Sequence, residues 1–399
     1  MDKTKTDLLS IFQAAINSVA GKQVVAKEIS HKKYTEKYHI IAIGKAADAM
    51  VQGLPDNKVV DGLVISKHGH ISAQLQEDPR FICLESDHPI PKEASILAGK
   101  TLLEYLGRLP PKVPCLFLIS GGTSALVEVL QDGWSLADLA KLTDYLLANA
   151  YSIGEINAVR RKVSKIKGGG LWNYLSDHPV ACLIISDVPN DNPVDIGSGL
   201  LFFDTSGDMP KISHEWLSRI KPIEPIKIPK SFDWNIIASL SDAKQAAAKH
   251  AKKLGYSVKV ISAFIDGDAV NAAKVCVKYI KNNPQTLFIW GGETTVALPE
   301  NPGKGGRNQH LALAAAIQME ELQSCYLLAA GTDGSDGLST ATGALVDSDT
   351  VKRANDQSLN ALEFLHKADS NSFFQATDEL IITGATGTNV MDLMLAIRL

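Results

Sequence analysis

The sequence predicts an α/β protein of two domains, the first built around a Rossmann-like parallel sheet. Short apolar runs of strand length alternate with helical patterns along most of the chain. With 399 residues, the chain exceeds the size at which one hydrophobic core usually stops growing. A segment with three prolines and no apolar face interrupts the alternation at residues 219–234. We therefore expect an N-terminal α/β domain with glycine-rich loops at residues 1–225 and a C-terminal α/β domain at residues 226–399.

The strands and helices of both halves follow from the spacing of apolar residues. In the first half, apolar runs predict strands at residues 38–44, 62–66, 81–86, 115–120 and 181–186. The last two are continuously apolar, which is typical of strands buried on both faces of a parallel sheet. After the proline-rich segment, helical periodicity predicts helices at residues 242–254, 268–280 and 308–322, with strand-like runs between them. The alternation favours βαβ units and parallel sheets.

The composition is that of an ordinary globular protein, with 45% hydrophobic and 21% charged residues. A net charge of −4 supplies no basic field for nucleic acid. The first twenty residues read as an amphipathic helix without the features of a signal peptide, and no apolar stretch is long enough to cross a membrane. The five cysteines form no C-x-x-C pair. We therefore expect a cytoplasmic protein with no membrane partner.

Six apolar runs end in loops rich in glycine, small hydroxyl side chains or aspartate. They read IAIG-KAADAM, FLIS-GGTSAL, LIIS-DVPND, FIW-GGETTV, LLAA-GTDGSDG and IIT-GATGTN. In parallel α/β sheets, ligands lie beyond the carboxyl ends of the strands. Glycine allows the backbone to approach a bound group, and exposed N–H groups favour anions. The six loops together predict a ligand cleft.

The common nucleotide-binding motifs are absent, so positive charge for a phosphate must come from elsewhere. Neither G-x-x-x-x-G-K-[ST] nor G-x-G-x-x-G after a strand is found. Two cations are candidates: Lys45, directly after the first strand, and Arg307 in the loop GKGGRNQ. Asn308 is placed to cap the helix that follows.

Acidic and polar side chains in the same loops suggest a magnesium site. Phosphoryl transfer from ATP needs Mg²⁺, which one or two carboxylates commonly hold. The candidates are Asp187, Asp191, Glu293, Asp333 and Asp336, of which Asp187 follows a buried strand directly.

The basic run at residues 160–167 favours a solvated helix face, although Asn157 and Arg160 lie one turn apart and could face the cleft together. His88, before a proline in a predicted turn, is expected to be structural.

With these loops in place, the chain resembles the glycerate 2-kinase family, whose C-terminal part is the MOFRL domain. The resemblance is carried, in order, by GKAADAM, HPIPKEAS, SGGTSAL, EINAVRRKVSKIKGG, SDVPND, GGETTV, GGRNQ, GTDGSDG and TGATGTNVMDL. It implies ATP-dependent phosphorylation of D-glycerate to 2-phosphoglycerate with a divalent metal, in a cleft between two domains. Lys45 and Arg307 match the proposed catalytic cations.

On this interpretation the site residues divide into three groups. Lys45, Arg307 and Asp187 are catalytic, and Asp187, Asp191 and Asp333 hold Mg²⁺. The nucleotide and the substrate are bound by Gly44, Ser120, Gly121, Gly122, Thr123, Ser124, Asn157, Arg160, Glu293, Asn308, Thr388 and Asn389.

The chain departs from the family pattern at several loop positions. The family usually has glycine where this chain has Thr123 and Asn190, proline at Ala385, and an acidic residue at Thr340; SGLL at residues 198–201 replaces SGPT. These changes bear on the choice of hydroxy acid more than on the reaction.

Two other functions remain open at this point: an NAD(P)H-dependent hydroxypyruvate reductase, against which the missing dinucleotide motif argues, and a non-catalytic protein that binds phosphorylated metabolites. The sequence also leaves open a homodimer and the loop that contacts adenine.

Overall fold

The computed structural model describes residues 2–31, 34–175, 178–203, 209–221 and 232–399. The chain divides into two compact units. The N-terminal unit is Gly21–Ile237, and the C-terminal unit combines Met1–Ala20 with Ala238–Leu399. The expected boundary at residues 225 and 226, like most of the proline-rich segment, lies outside the described residues. The first twenty residues were expected in the N-terminal domain, but they belong to the C-terminal unit.

The N-terminal unit is built on a six-stranded sheet. Its strands are β1 (Tyr38–Ile43), β2 (Val59–Lys67), β3 (Phe81–Ser86), β4 (Cys115–Ile119), β5 (Val180–Ile185) and β6 (Asp233–Ala238). Their order is β3-β2-β1-β4-β5-β6, and β1 to β5 pair in parallel. β4 and β5 are buried along their whole length, as their continuous apolar sequences predict, and so is β1. The order reverses between β1 and β4, which makes the loops after these two strands the expected ligand site.

Helices and short 3₁₀ turns connect these strands. The helices are α2 (Gly21–Ile29), α3 (Ala47–Gln52), α4 (Ala73–Gln76), α5 (Glu93–Gly107), α6 (Thr123–Leu126), α7 (Leu136–Ala148), α8 (Ile153–Lys162) and α9 (His214–Arg219). Serine caps both α7 and α8, in each case with an acidic residue three positions later that bonds back to the cap. The N-terminus of α8 is thereby fixed, and this helix carries Arg160.

The C-terminal unit has a second six-stranded sheet, which is mixed. Its strands are β7 (Ser257–Asp268), β8 (Thr286–Thr295), β9 (Cys325–Gly331), β10 (Gly343–Asp347), β11 (Leu380–Ile381) and β12 (Asp392–Arg398). The order is β11-β10-β9-β12-β8-β7. β12 lies antiparallel between β8 and β9, so the expectation of parallel pairing fails here. The alternation of strands and helices cannot show that the last strand enters the middle of the sheet.

The helices of this unit cover the sheet and include the first helix of the chain. They are α1 (Lys3–Val19), α10 (Leu240–Lys253), α11 (Ala269–Asn282), α12 (Arg307–Met319), α13 (Thr350–Asn355), α14 (Ala361–His366) and α15 (Ser370–Thr377). The helices predicted at residues 242–254, 268–280 and 308–322 correspond to α10, α11 and α12. Helix α12 is buried through most of its length and packs against α11, β9 and β10.

Helix α1 is attached to the C-terminal unit by apolar and polar contacts. It packs against α10 and buries Leu8, Ile11, Phe12, Ala15, Ile16 and Val19. Lys5 forms ion pairs with Asp347 and Glu379, at 2.5 and 3.5 Å. No helix in the described part of the chain is long and apolar enough to span a membrane.

Candidate functional site

The loops that follow β1 and β4 touch each other at the point where the strand order reverses. The backbone N–H of Lys45 donates to the carbonyl of Gly121 at 2.9 Å, and the N–H of Ala46 donates to Ser120 Oγ at 3.0 Å. Gly44 has φ of +131°, and a Cβ atom there would lie 2.1 Å from Ser120 Oγ. Only glycine allows the two loops to approach this closely. The contact therefore fixes the position of Lys45, the next residue in the chain.

The side chains of Lys45 and His88 lie beside the turn at Gly122. A Cβ atom on Gly122 would lie 3.4 Å from Lys45 Cγ and 3.0 Å from His88 Cδ2. Gly122 has φ of +85° and precedes α6, so its left-handed backbone also favours glycine. His88 was expected to be structural, and the structure places its imidazole beside the same glycine turn as the Lys45 side chain.

Three hydroxyl groups of the predicted binding loop support its shape. Ser120 and Thr123 are fully buried, and Thr123 Oγ1 donates within this loop and to the end of β1. Ser124 Oγ and Ser198 Oγ are 2.7 Å apart, so the SGLL segment lies against the same loop.

Helix α8 brings a guanidinium group to the loop after β4. Arg160 Nη2 donates to the carbonyl of Ser124 at 3.3 Å. Burial lowers the pKa of Arg160, while Glu128 opposes the shift. Among the described residues, none forms an ion pair with Arg160. A partly buried cation that no carboxylate contacts directly is a candidate receptor for an anionic ligand. Asn157, one turn earlier, is also partly buried.

A buried ion pair underlies this region. Lys167 and Glu128 are paired with both side chains fully buried. Ser164 Oγ and the backbone N–H of Val129 complete the hydrogen bonds of the Glu128 carboxylate. The solvated face expected for residues 160–167 is therefore wrong for Lys167, and also for Arg161, which is 7% exposed and lies 3.5 Å from Asp195.

Asp187 and Asp191 follow β5 at the same edge of the sheet. Both are partly buried, and Asp191 ends a short 3₁₀ turn with φ of +54°. The N-terminal cluster comprises the loops after β1, β3, β4 and β5 together with Arg160.

In the C-terminal unit, Arg307 is held between two carboxylates. Its Nε donates to Asp392 Oδ2 at 2.6 Å and its Nη2 to Asp392 Oδ1 at 3.1 Å. Its Nη1 donates to Glu293 Oε1 at 2.6 Å. Although burial disfavours the charged guanidinium, Asp392 and Glu293 raise the pKa of Arg307 above its usual value. We call Arg307, Asp392 and Glu293 the C-terminal cluster.

The first turn of α12 is capped by a residue from another loop. The helix begins at Arg307 after Gly306, so the expectation that Asn308 caps it is wrong. Asp336 accepts hydrogen bonds from the backbone and side-chain N–H groups of both Asn308 and Gln309. The buried Asn308 amide therefore supports the loop that carries Arg307.

The other predicted residues of this unit lie in the loops that follow β9 and precede β12. Asp333 Oδ1 accepts from the backbone and hydroxyl of Ser335. Thr388 is buried and donates to the carbonyl of Val19 at 2.7 Å, so its hydroxyl secures the end of α1. Asn389 is 8% exposed.

No group of three His, Cys, Asp or Glu side chains within the described ranges is arranged to hold a metal ion. Mg²⁺ is commonly bound by one or two carboxylates together with water and phosphate oxygens. The donor chemistry of the predicted aspartates thus fits a metal that arrives with a nucleotide.

Sequence reasoning missed Asp392. The residue was part of the motif TGATGTNVMDL, but its role became visible only when β12 was found between β8 and β9. The one feature of the sequence that pointed to Asp392 was its place as an aspartate at the start of an apolar C-terminal segment.

Comparisons with known proteins match this chain over most of its length. Residues 7–218 match a domain of unknown function (DUF4147), and residues 286–392 match the MOFRL family. The chain is 33% identical to a D-glycerate 2-kinase of Thermotoga maritima, over 98% of this chain and 97% of that protein. It is 32% identical to an Agrobacterium vitis protein provisionally named hydroxypyruvate reductase, over 89% of this chain and 97% of that protein. A crystal structure of glycerate kinase from Thermotoga maritima matches with a TM-score of 0.84 and 31% identity, covering 100% of both chains.

Proposed function

Because the chain belongs to the glycerate 2-kinase family, we propose that it transfers the γ-phosphoryl group of ATP to the 2-hydroxyl group of D-glycerate. The observation that carries this proposal is the position of Lys45. It stands where the strand order of a Rossmann-like sheet reverses, in contact with a turn of two glycines. This is where parallel α/β sheets bind phosphorylated ligands.

Lys45 and Arg307 supply the positive charge that the reaction needs. In phosphoryl transfer, negative charge spreads over the equatorial oxygens of the transferred group, and fixed cations stabilise it. Lys45 offers a compact ammonium group, and Arg307 offers a planar fork that can meet two oxygens. The backbone N–H groups near Gly121 and Gly122 would bind phosphate oxygens alongside Lys45.

Arg160 is the best candidate for binding the carboxylate of D-glycerate. It has no carboxylate partner in the described part of the chain, and its neighbour Ser124 offers a hydroxyl group. A guanidinium group binds a carboxylate with two parallel hydrogen bonds. Asn157, on the same side of α8, would contact a substrate hydroxyl.

Of the predicted metal ligands Asp187, Asp191 and Asp333, one or two would supply carboxylate oxygens to Mg²⁺, which would neutralise charge at the phosphate oxygens. Glu293, Asn308, Thr388 and Asn389 would shape the nucleotide site, with the Asn308 amide and the Thr388 hydroxyl acting as supports for its loops. We place the reaction in the cytoplasm, where ATP is supplied.

Two assays run side by side test this function against its alternatives. ADP release is measured with ATP, Mg²⁺ and D-glycerate, and NADH oxidation is measured with hydroxypyruvate. The proposal predicts glycerate-dependent ADP release and no NADH oxidation, because a G-x-G-x-x-G loop does not follow β1. NADH oxidation alone would establish the reductase, and activity in neither assay would favour a binding protein.

In the ADP-release assay, Arg160→Gln should raise the KM for D-glycerate by at least about tenfold, since a charge-assisted pair is lost. An unchanged KM would remove Arg160 from the substrate site.

A further inference from the structure

The two carboxylates that hold Arg307 differ sharply in exposure. The Asp392 side chain is 2% exposed and the Glu293 side chain is 44% exposed. Both contacts measure 2.6 Å at their shortest. The two ion pairs therefore differ in strength although their distances are equal. An exposed ion pair contributes little to stability, whereas breaking a buried ion pair leaves a buried charge without a partner.

The fold fixes Asp392 from both sides. Asp392 begins β12 and pairs with Gly292 of β8 and with Gly331 of β9. A Cβ atom on Gly331 would lie 3.4 Å from Asp392 Oδ1, so the carboxylate rests over a strand that has no side chain there. Asp392 is thus placed by two neighbouring strands, and its two oxygens accept from Nε and Nη2 of Arg307.

The Nη1–Nη2 edge of the guanidinium group is the one that Asp392 does not occupy. Arg307 has five N–H donors, of which Asp392 takes two and Glu293 takes one. The other two, on Nη1 and Nη2, have no acceptor among the described residues. With Glu293 displaced, the donors of Nη1 and Nη2 would match two oxygens of a phosphate group.

We propose that Asp392 is a positioning residue that aims Arg307 at the transferred phosphoryl group, and that Glu293 is an exchangeable counter-ion that the phosphate displaces. Glu293 occupies Nη1 when no anion is bound and yields it when the nucleotide arrives. The exchange keeps Arg307 neutralised in both states, while Asp392 remains in contact throughout. This inference rests on the proposed phosphoryl transfer and assigns roles around the same arginine.

The roles of Asp392 and Glu293 lead to opposite effects on substitution. Asp392→Asn should lower turnover by about a hundredfold, comparable to the loss of one transition-state contact. It should change the affinity for a non-hydrolysable ATP analogue by less than about threefold, since the missing orientation matters during transfer. Glu293→Gln should tighten binding of the same analogue by about two- to fivefold, the range of one exposed ion pair.

The experiment combines calorimetric titration with the ATP analogue and ADP-release kinetics on the full-length protein. Glu300→Gln, an exposed carboxylate of the same unit, is the matched control and should leave analogue affinity unchanged. A double variant, Arg307→Ala with Asp392→Asn, should be no slower than Arg307→Ala alone, because Asp392 acts through Arg307. If Asp392 had only a structural role, Asp392→Asn would lower the turnover of the Arg307→Ala variant further.

Parent-like turnover in Asp392→Asn, or additive losses in the double variant, would overturn the positioning role. Weaker analogue binding in Glu293→Gln would overturn the exchange of Glu293 for phosphate. If Asp392→Asn does not fold, the titration of Glu293→Gln is the deciding measurement. If the parent protein binds the analogue but releases no ADP with D-glycerate, the proposed function fails, and the calorimetric result for Glu293 still stands or falls by itself.

Discussion

At the scale of single residues, Lys45 owes its position to backbone contacts rather than to its own side chain. Its N–H bonds to Gly121, and the neighbouring Ala46 bonds to Ser120. A substitution that keeps the backbone should therefore keep the loop while it removes the charge.

Lys45→Met should lower turnover by on the order of a hundredfold or more while thermal unfolding stays within a few degrees of the parent protein. Methionine preserves the apolar stem and lacks the ammonium group. Steady-state ADP release and circular dichroism are the measurements, and Lys141→Met, at an exposed position of α7, is the control. Parent-like turnover in Lys45→Met would reduce Lys45 to a solvated loop cation.

The sequence suggested the two candidate cations but not most of the residues that contact them. Lys45 and Arg307 follow from their loops and the resemblance, because the local sequence that carries each cation is continuous. Asp392 lies 85 residues from Arg307 in the chain, and Lys167 meets Glu128 across 39 residues. Such pairs depend on strand order and helix packing, which local patterns do not encode.

At the scale of elements, the contact between the loops after β1 and β4 depends on the absence of a side chain at Gly44. A Cβ atom there would overlap Ser120 Oγ and the Ser120 carbonyl. Gly69, in the loop after β2, also has a positive φ, of +75°, but nothing lies within 4 Å of its Cβ position. The two glycines separate the effect of a clash from that of backbone strain.

Gly69→Ala should destabilise the protein by about 1 kcal/mol through backbone strain. Gly44→Ala should add about 1–3 kcal/mol from overpacking and should displace Lys45, so its activity should fall by at least about tenfold. Thermal unfolding and ADP release on both variants are the measurements. If both variants melt together and remain equally active, the loop contact does not position Lys45.

Helix α12 carries a buried histidine, His310, in its first turns. His310 is 7% exposed, and its Nδ1 has no hydrogen-bond partner in the described structure. Burial lowers the pKa of His310, and Asp268 opposes the shift. The folded protein therefore takes up a proton at His310 at lower pH than the unfolded chain does.

The stability that His310 contributes should be present above its unfolded pKa of about 6.5 and should be lost as the pH falls through its lower folded value. Urea unfolding between pH 7.5 and 5 should show a steeper loss for the parent protein than for His310→Gln. His366→Gln, the same substitution at an exposed histidine, is the control. Identical slopes for all three proteins would contradict the buried, neutral imidazole.

The strands and long helices could be predicted because their apolar spacing is strong, as in β4, β5 and α10. The mixed C-terminal sheet could not be predicted. β10 and β12 are as apolar as the predicted strands, but nothing in their local sequence specifies antiparallel pairing or the central place of β12. Short helices such as α13 and α14 lack enough turns for periodicity to show.

At the scale of the whole molecule, the chain begins and ends in the same unit. Helix α1 packs against α10, β9 and β12, and residues 21–237 form the N-terminal unit before the chain returns. The amphipathic pattern predicted α1 itself, but it carries no information about which unit receives the apolar face.

Phe12→Ala should destabilise the C-terminal unit, since Phe12 is 2% exposed on α1 and loss of a buried phenyl group costs about 3–5 kcal/mol. Hydrogen exchange should accelerate in α10 and leave β1 and β4 protected. Phe117→Ala, in the core of the N-terminal sheet, should give the reverse pattern. Equal acceleration in both units from Phe12→Ala would contradict the assignment of α1 to the C-terminal unit.

The proposed reaction is defined by the bond that the enzyme forms, and ³¹P NMR of the reaction products observes that bond directly. The parent protein, incubated with ATP, Mg²⁺ and D-glycerate, should produce ADP and the resonance of 2-phosphoglycerate, while Lys45→Met should produce neither at a comparable rate. A product phosphorylated at the 3-hydroxyl group, or inorganic phosphate alone, would contradict phosphoryl transfer to the 2-hydroxyl group of D-glycerate.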